Sequence, residues 1–232
     1  TLWNTYSFFI TYAKLDDFDP QIKIDPECFN KSDIWIRSKT NKFIEIAIEK
    51  YENYQVFQLM TEASQLLDQL SNWYVRRNRR RFWKSENDTD KNAAYFTLYS
   101  VLLDFVKVMA PVIPFVSDEI YSNLTLVNSA EGSIHLSDFP RVDASSTDET
   151  VLTEVDVIIQ IVSLSRSARN KANIKIRQPL AELAVFADES IKKIAERNKG
   201  EILEELNIKT LKLVNDESDL VTYNVKPNFQ TL

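Results

Sequence analysis

The chain has 232 residues, 44 % hydrophobic and 27 % charged, an ordinary globular balance with ample apolar side chains for a core. Its formal net charge is −6, with two glycines, one histidine and one cysteine. So few glycines exclude a P-loop or dinucleotide-type phosphate cradle, which needs backbone without Cβ at several positions. His135 stands alone without a partner motif, so a Ser-His-Asp or zinc-hydrolase site has nothing to rest on. Cys28 alone forms neither an internal disulfide nor a cysteine metal cage, and it fits a reduced, cytoplasmic compartment. No run of about 18 apolar residues appears, so no membrane helix is expected. The N-terminal "TLWNTYSFFITYAK" lacks the pattern of a signal peptide and lacks an initiator Met, and the chain is expected to be cut from something longer.

Taken in chain order, the first two-thirds read as long helices. Residues 1–15 place Leu2, Tyr6, Phe9, Ile10 and Ala13 on one face. Residues 16–29 carry Pro20 and Pro26 and read as a loop. Ser32 or Asp33 is the expected cap of a second helix reaching about Tyr51. A third helix has the clearest seam, through Val56, Leu59, Met60, Ala63, Leu66, Leu67, Leu70, Trp73 and Tyr74. Continued at the same spacing, that seam arrives at Arg77 and Arg81, so the core turns basic where the helix ends. "SENDTD", residues 85–90, is a polar break. A fourth helix follows, with Ala94, Leu98, Val101, Leu102, Phe105, Val108 and Met109 on one face. Pro111 breaks it, and Pro114 suits the first turn of a short fifth helix ending near Leu124. Residues 125–147 read as a connection with one extended piece, "SIHL". A sixth helix is expected over about 147–170 along Leu152, Val155, Ile159 and Val162. The last 55 residues change character: "LAELAVFA" alternates like a strand, "DESIKKIAERNKGEILEEL" is helical, and "IKTLKLVND" and "LVTYNVKPNF" are β-rich. The expected fold is mainly α: an antiparallel helical bundle over 1–146, a connecting helix and basic hinge over 147–177, and a small β-α-β-β subdomain over 178–232.

The densest chemistry lies in "SNWYVRRNRRRFWK". It gathers Arg76, Arg77, Arg79, Arg80, Arg81 and Lys84, with no acid among them. The helix macrodipole favours cations near a C-terminus by about 0.3–1 kcal/mol each, which accounts for one or two of them. It does not account for i,i+4 pairs of like charge such as Arg76/Arg80 and Arg77/Arg81, which repel. Either acids on another helix neutralise the cluster internally, or the cluster meets an anionic ligand. Arginine's planar fork matches phosphate, and neighbouring aromatics offer stacking faces to unpaired bases. Single-stranded RNA loops are the usual target of that combination. Trp73 and Tyr74 lie on the core seam and are expected to be packed, whereas Trp83 is the candidate for exposure. A second basic stretch, "RSARNKANIKIRQPL", holds Arg166, Arg169, Lys171, Lys175 and Arg177. It reads as a solvated hinge or as a second phosphate contact. No acid–base dyad, metal cluster or other reaction centre is evident.

The motifs "LWNTYSFF", "DIWIRSK", "LSNWYVRRNRRRFW", "VMAPVIPFVSDEIYSNL", "SIHLSDFP", "SLSRSARN", "IRQPL", "EELNIK" and "YNVKPNF" occur in that order. Together they resemble the region following the catalytic core of the isoleucyl-tRNA synthetases, class I aminoacyl-tRNA synthetases. The form is the one shared by eukaryotic, archaeal and some bacterial enzymes. The resemblance implies a helical anticodon-binding domain with a linker and a small α/β subdomain, and a ligand that is the anticodon stem-loop of isoleucine tRNA. Charge marks Arg76, Arg77, Arg79, Arg80, Arg81, Lys84, Arg166, Arg169 and Lys171 as candidate tRNA contacts, and the resemblance supports that role for the arginines of the "RRNRRR" run. The resemblance also implies one for Trp83, because related methionyl enzymes use an aromatic after the corresponding helix, though the spacing from Asn72 departs from theirs. The signatures His-Ile-Gly-His and Lys-Met-Ser-Lys-Ser are absent, so no catalytic or cofactor residue is expected here. ATP and Mg, like the catalytic and editing domains, are expected in a parent enzyme, and a monomer away from membranes is expected. A second reading is a helical protein-interaction module whose arginines pair with an acidic partner.

Overall fold

The computed structural model describes residues 1–84, 88–125, 132–143 and 146–216, without the Lys84 side chain. The "LVTYNVKPNF" segment therefore lies outside the described residues. The chain divides into two compact units, Thr1–Leu152 and Thr153–Leu232.

The first unit is a helical bundle. Helix α1, Leu2–Leu15, buries Tyr6, Phe9 and Ala13, as its periodicity predicts. Helix α2, Lys31–Glu52, starts before either expected cap, Ser32 or Asp33. Asn30 is the cap: its side chain accepts from the Asp33 N–H, while the Asp33 carboxylate accepts from the Asn30 N–H. This reciprocal box satisfies two amide groups that a helix start would otherwise leave bare. After a turn at 53–55, helix α3, Val56–Asp68, packs on α2 through Leu59, Ala63 and Leu66.

Residues 69–75 then form a π-helical turn before the chain resumes as α4, Arg76–Lys84. A π-turn inserts one residue into the helical repeat. The inward positions therefore slip by one, from the expected Arg77 and Arg81 to Asn78 and Phe82, both buried.

Helix α5, Asp88–Met109, touches α1, α2, α4 and α6 and is the centre of the unit. Its sequence gave one apolar face; in the fold Ala93, Tyr95, Thr97 and Val106 are buried as well. A helix surrounded on several sides loses the single stripe that marks a surface helix. Phe43 of α2 and Phe105 of α5 stack with ring centroids 5.7 Å apart. Helix α6, Pro114–Thr125, begins at Pro114 as expected. "SIHL" departs from its extended reading: Ile134–Leu136 is a 3₁₀ turn. The Asp118 carboxylate accepts from the Ser133 hydroxyl and the Ile134 N–H at 2.8 and 2.9 Å, which pins that turn.

Helix α7, Glu149–Lys171, runs across the division between the units, with Asp148 accepting from the Val151 N–H at its start. It buries Ile158 where the sequence pattern favoured Ile159. In the second unit, strands β1, Leu180–Phe186, and β2, Ile208–Val214, pair in parallel from Leu180↔Ile208 to Phe186↔Val214. Between them come α8, Glu189–Arg197, and α9, Lys199–Leu206. The run read as one helix is thus two, divided at Asn198. Parallel strands need such a long crossover. Asn207 ends α9 with φ 52°, a left-handed conformation that asparagine tolerates better than most residues.

Asp104 on α5 generates a pH effect. Burial pushes its carboxyl up to about 6, against the opposing charges of Lys107 and Arg37. The folded chain then holds this proton more tightly than the unfolded chain, so stability from this group falls as pH rises from 3.8 to about 6, and stays lower above that. Asp104→Asn is expected to raise the melting temperature at pH 8, with the gain shrinking toward zero near pH 4. Thermal unfolding at the two pH values checks it.

Candidate nucleic-acid interface

The basic run is divided by the geometry of α4 into an inner and an outer set. Arg81 belongs to the inner set. Its side chain is 11 % exposed, and its guanidinium forks onto Asp33 of α2, Nη1 to Oδ1 at 2.8 Å and Nη2 to Oδ2 at 2.9 Å. Nη2 also reaches the Asp90 carboxylate at 2.8 Å and the Asp90 carbonyl at 3.0 Å. Asp33 is fully buried, and its remaining acceptor sites take the Tyr74 hydroxyl at 2.6 Å and the Asn30 N–H at 3.0 Å. An ionised carboxylate has about four lone-pair sites, so this one is saturated. Burial disfavours the charged form of Arg81, but the hydrogen bond and charge of Asp33 outweigh it and raise the Arg81 pKa. Burial first, then Asp33, raises the Tyr74 pKa, so the phenol remains a donor. Internal neutralisation by acids on other helices, one of the sequence alternatives, holds for Arg81, which is not presented to solvent as an RNA contact.

Asn78 and Phe82 continue the inner face. Asn78 donates to the Tyr74 carbonyl at 2.9 Å and accepts from Ser32 at 3.1 Å. Phe82 meets Phe8 and Tyr95 edge-on, with centroids 5.2 and 5.1 Å apart. Trp73 and Tyr74 are buried, as their seam positions predict.

The outer set is Arg76, Arg79, Arg80 and Trp83, at the spacing of one helical stripe and all exposed. Arg76 Nε donates to the Asn72 carbonyl at 2.8 Å, one turn back along the helix. Arg79 lies 5.3 Å from the Trp83 ring centroid and 5.8 Å from that of Phe8. Trp83 is 48 % exposed and meets Tyr12 of α1 edge-on at 6.5 Å. Arg77 is half-buried, 4.7 Å over Trp73. Lys84 ends the helix, but its side chain lies outside the described residues. The outer face thus joins cations to a half-exposed indole packed beside Tyr12, the pairing that phosphate and stacked-base contacts use.

The hinge run divides the same way. Arg169 is buried, and its Nη atoms donate to the carbonyls of Lys175, Gln178 and Leu206 at 3.1, 3.0 and 2.8 Å. It brackets the segment after α7 to the end of α9, so it too is not on the surface. Arg166 pairs with Glu205 of α9. Lys171, Lys175 and Arg177 are exposed. Sequence reasoning missed Asp33 and Asp90, 48 and 9 residues from Arg81, as its partners, because nothing local in "NKSDIW" or "DTDKN" marks an acid for another helix. Among the described residues, no group of His, Cys, Asp and Glu could hold a metal ion, and no helix is long and apolar enough to cross a membrane.

Comparison with known proteins bears on this surface. Residues 33–185, which include α4, match the family described as the anticodon-binding domain of tRNA ligase. The chain is 45 % identical to an isoleucine–tRNA ligase of Clostridium novyi over its whole length, and 43 % identical to one of Clostridium tetani. It is 44 % identical to one of Dehalococcoides mccartyi over 90 % of its length. It spans about a fifth of those relatives, 22 % of each Clostridium protein and 21 % of the other.

Removing the Arg81 fork leaves Asp33 buried and unpaired. Arg81→Ala is expected to destabilise the first unit by about 3–5 kcal/mol, whereas Arg80→Ala, on the surface, should stay within about 0.5 kcal/mol. All four tryptophans, Trp3, Trp35, Trp73 and Trp83, lie in that unit, so urea unfolding followed by their fluorescence measures it selectively.

Proposed function

The chain belongs to the family of anticodon-binding domains of tRNA ligases, and from that premise we propose that it binds the anticodon stem-loop of isoleucine tRNA as part of an isoleucine–tRNA ligase. The observation that carries this reading is the outer stripe of α4. Arg76, Arg79 and Arg80 stand beside Trp83 on one exposed face of an otherwise acidic chain. The arginines neutralise backbone phosphates, and the indole offers its face to an unpaired base. A field that is positive only locally concentrates the polyanion at this face and repels it elsewhere. Exposed Lys171 supplies a further phosphate contact in the second unit. In this reading the domain orients the tRNA, and isoleucine activation with ATP and Mg belongs to other parts of such an enzyme.

Titration of an isoleucine-tRNA anticodon hairpin against salt tests it. Log K should fall linearly with log salt, by roughly 0.7–0.9 per phosphate neutralised. Arg79→Ala and Arg80→Ala should each weaken binding and flatten that slope. Trp83→Ala should cost about 1–3 kcal/mol with little change of slope, because stacking releases no counterions. Affinity and slope unmoved by all three substitutions would overturn the assignment and leave the stripe to an acidic protein partner.

A further inference from the structure

The inner face of α4 meets the rest of the first unit through Asn78, Phe82 and Arg81, and the Arg81 fork converges on one fully buried carboxylate, Asp33. Asp33 takes donors from α2's own cap, from the π-turn through Tyr74 and from α4 through Arg81. The Arg81 fork is planar and two-pronged, so it fixes an orientation where a point charge would fix only a distance. Asp90 and Asn78 close on the same guanidinium, at 2.8 and 3.2 Å. Turning α4 by one residue would carry Arg81 off Asp33 and change which cations face outward.

We propose that Asp33 is a positioning residue for RNA binding: through Arg81 it sets the rotation of α4 at which Arg76, Arg79, Arg80 and Trp83 form one exposed face. The proposal rests on the RNA-binding reading above. It makes a prediction opposite to that of simple electrostatics. Neutralising an acid beside an arginine cluster should strengthen binding to a polyanion if charge alone matters. If Asp33 positions the stripe, neutralising it weakens binding.

The test uses the whole chain and the same anticodon hairpin, at a temperature where tryptophan fluorescence and helix content show each variant folded. Asp33→Asn is expected to lower affinity at least about threefold, the lower range of coupling between contacting residues, and to flatten the salt slope although no surface cation has been removed. Glu52→Gln, on an exposed acid at the end of α2, is the charge control and should leave affinity unchanged or slightly raised. Arg81→Lys keeps the charge and removes the fork, so it should fall in the same direction and serves if Asp33→Asn does not fold. In a double-mutant cycle, Arg80→Ala should lose less in the Asp33→Asn background than alone, because Asp33 acts through that stripe. Unchanged or raised affinity in both Asp33→Asn and Arg81→Lys, or strict additivity with Arg80→Ala, would overturn the positioning role while the RNA reading stands. No binding by the unsubstituted chain, or none lost in any of Arg79→Ala, Arg80→Ala and Trp83→Ala, would overturn both.

Discussion

The first unit depends on one buried ion pair. Asp33 and Arg81 lie 48 residues apart, and every acceptor site of the carboxylate is filled. Burying two charges costs several kcal/mol per ion, and their attraction repays it only when geometry and further hydrogen bonds are complete. Here they are nearly so: a bidentate fork, a phenol and a backbone amide converge on Asp33, and Asp90 backs the guanidinium. Such a pair often adds less to net stability than an apolar substitute of equal volume. Its contribution is orientation. The hydrophobic contacts of α4 are few, chiefly Phe82, and apolar contact is not directional. The fork is.

The π-turn and the pair belong together. A straight continuation of α3 would direct Arg77 and Arg81 into the core and leave Phe82 beside the surface. The inserted residue exchanges them: Phe82 goes inward against Phe8 and Tyr95, and Arg81 moves to the edge of the core, where Asp33 and Asp90 wait. The local irregularity costs helical hydrogen-bond quality and returns a buried aromatic. It also separates one structural arginine from the outer ones. Arg76 and Arg80 stay together on the outer stripe, while the charge of Arg81 is neutralised by Asp33 and Asp90.

Much of this was legible in the sequence, for specific reasons. The α3 seam at three-and-four spacing identified Trp73 and Tyr74 as packed and left Trp83 for the surface. Pro114 marked the start of α6. The ordered motifs gave the family. What was not legible is equally specific. A π-turn has no residue signature, because every residue type in 69–75 also suits an α-helix. The seam extrapolated through it was therefore one residue out of register. The cap of α2 was misplaced because Ser32 and Asp33 are themselves good caps; Asn30 wins since Asp33 is then free to close the box from the third position. "SIHL" reads as extended until Asp118, which lies 16 residues upstream of Ile134, pulls it into a turn.

The second unit repeats the lesson with a different acceptor. Arg169 stands in a basic run that looks uniform, yet it is buried and brackets four carbonyls, those of Lys175, Gln178, Leu206 and Asn207, with no carboxylate among those partners. One of them, Leu206, is the last residue of α9, where the helix dipole concentrates negative partial charge. A lysine ammonium could meet one or two such oxygens; the guanidinium spans them because its five donors point in fixed, separate directions. Arg81 and Arg169 therefore have the same use, despite meeting a carboxylate in one case and carbonyls in the other. Each ties segments distant in sequence together. The charge available to a polyanion is consequently smaller than the count of arginines in either run. It is the charge carried by the residues that the fold leaves exposed, and that exposure, rather than the run itself, defines the candidate interface.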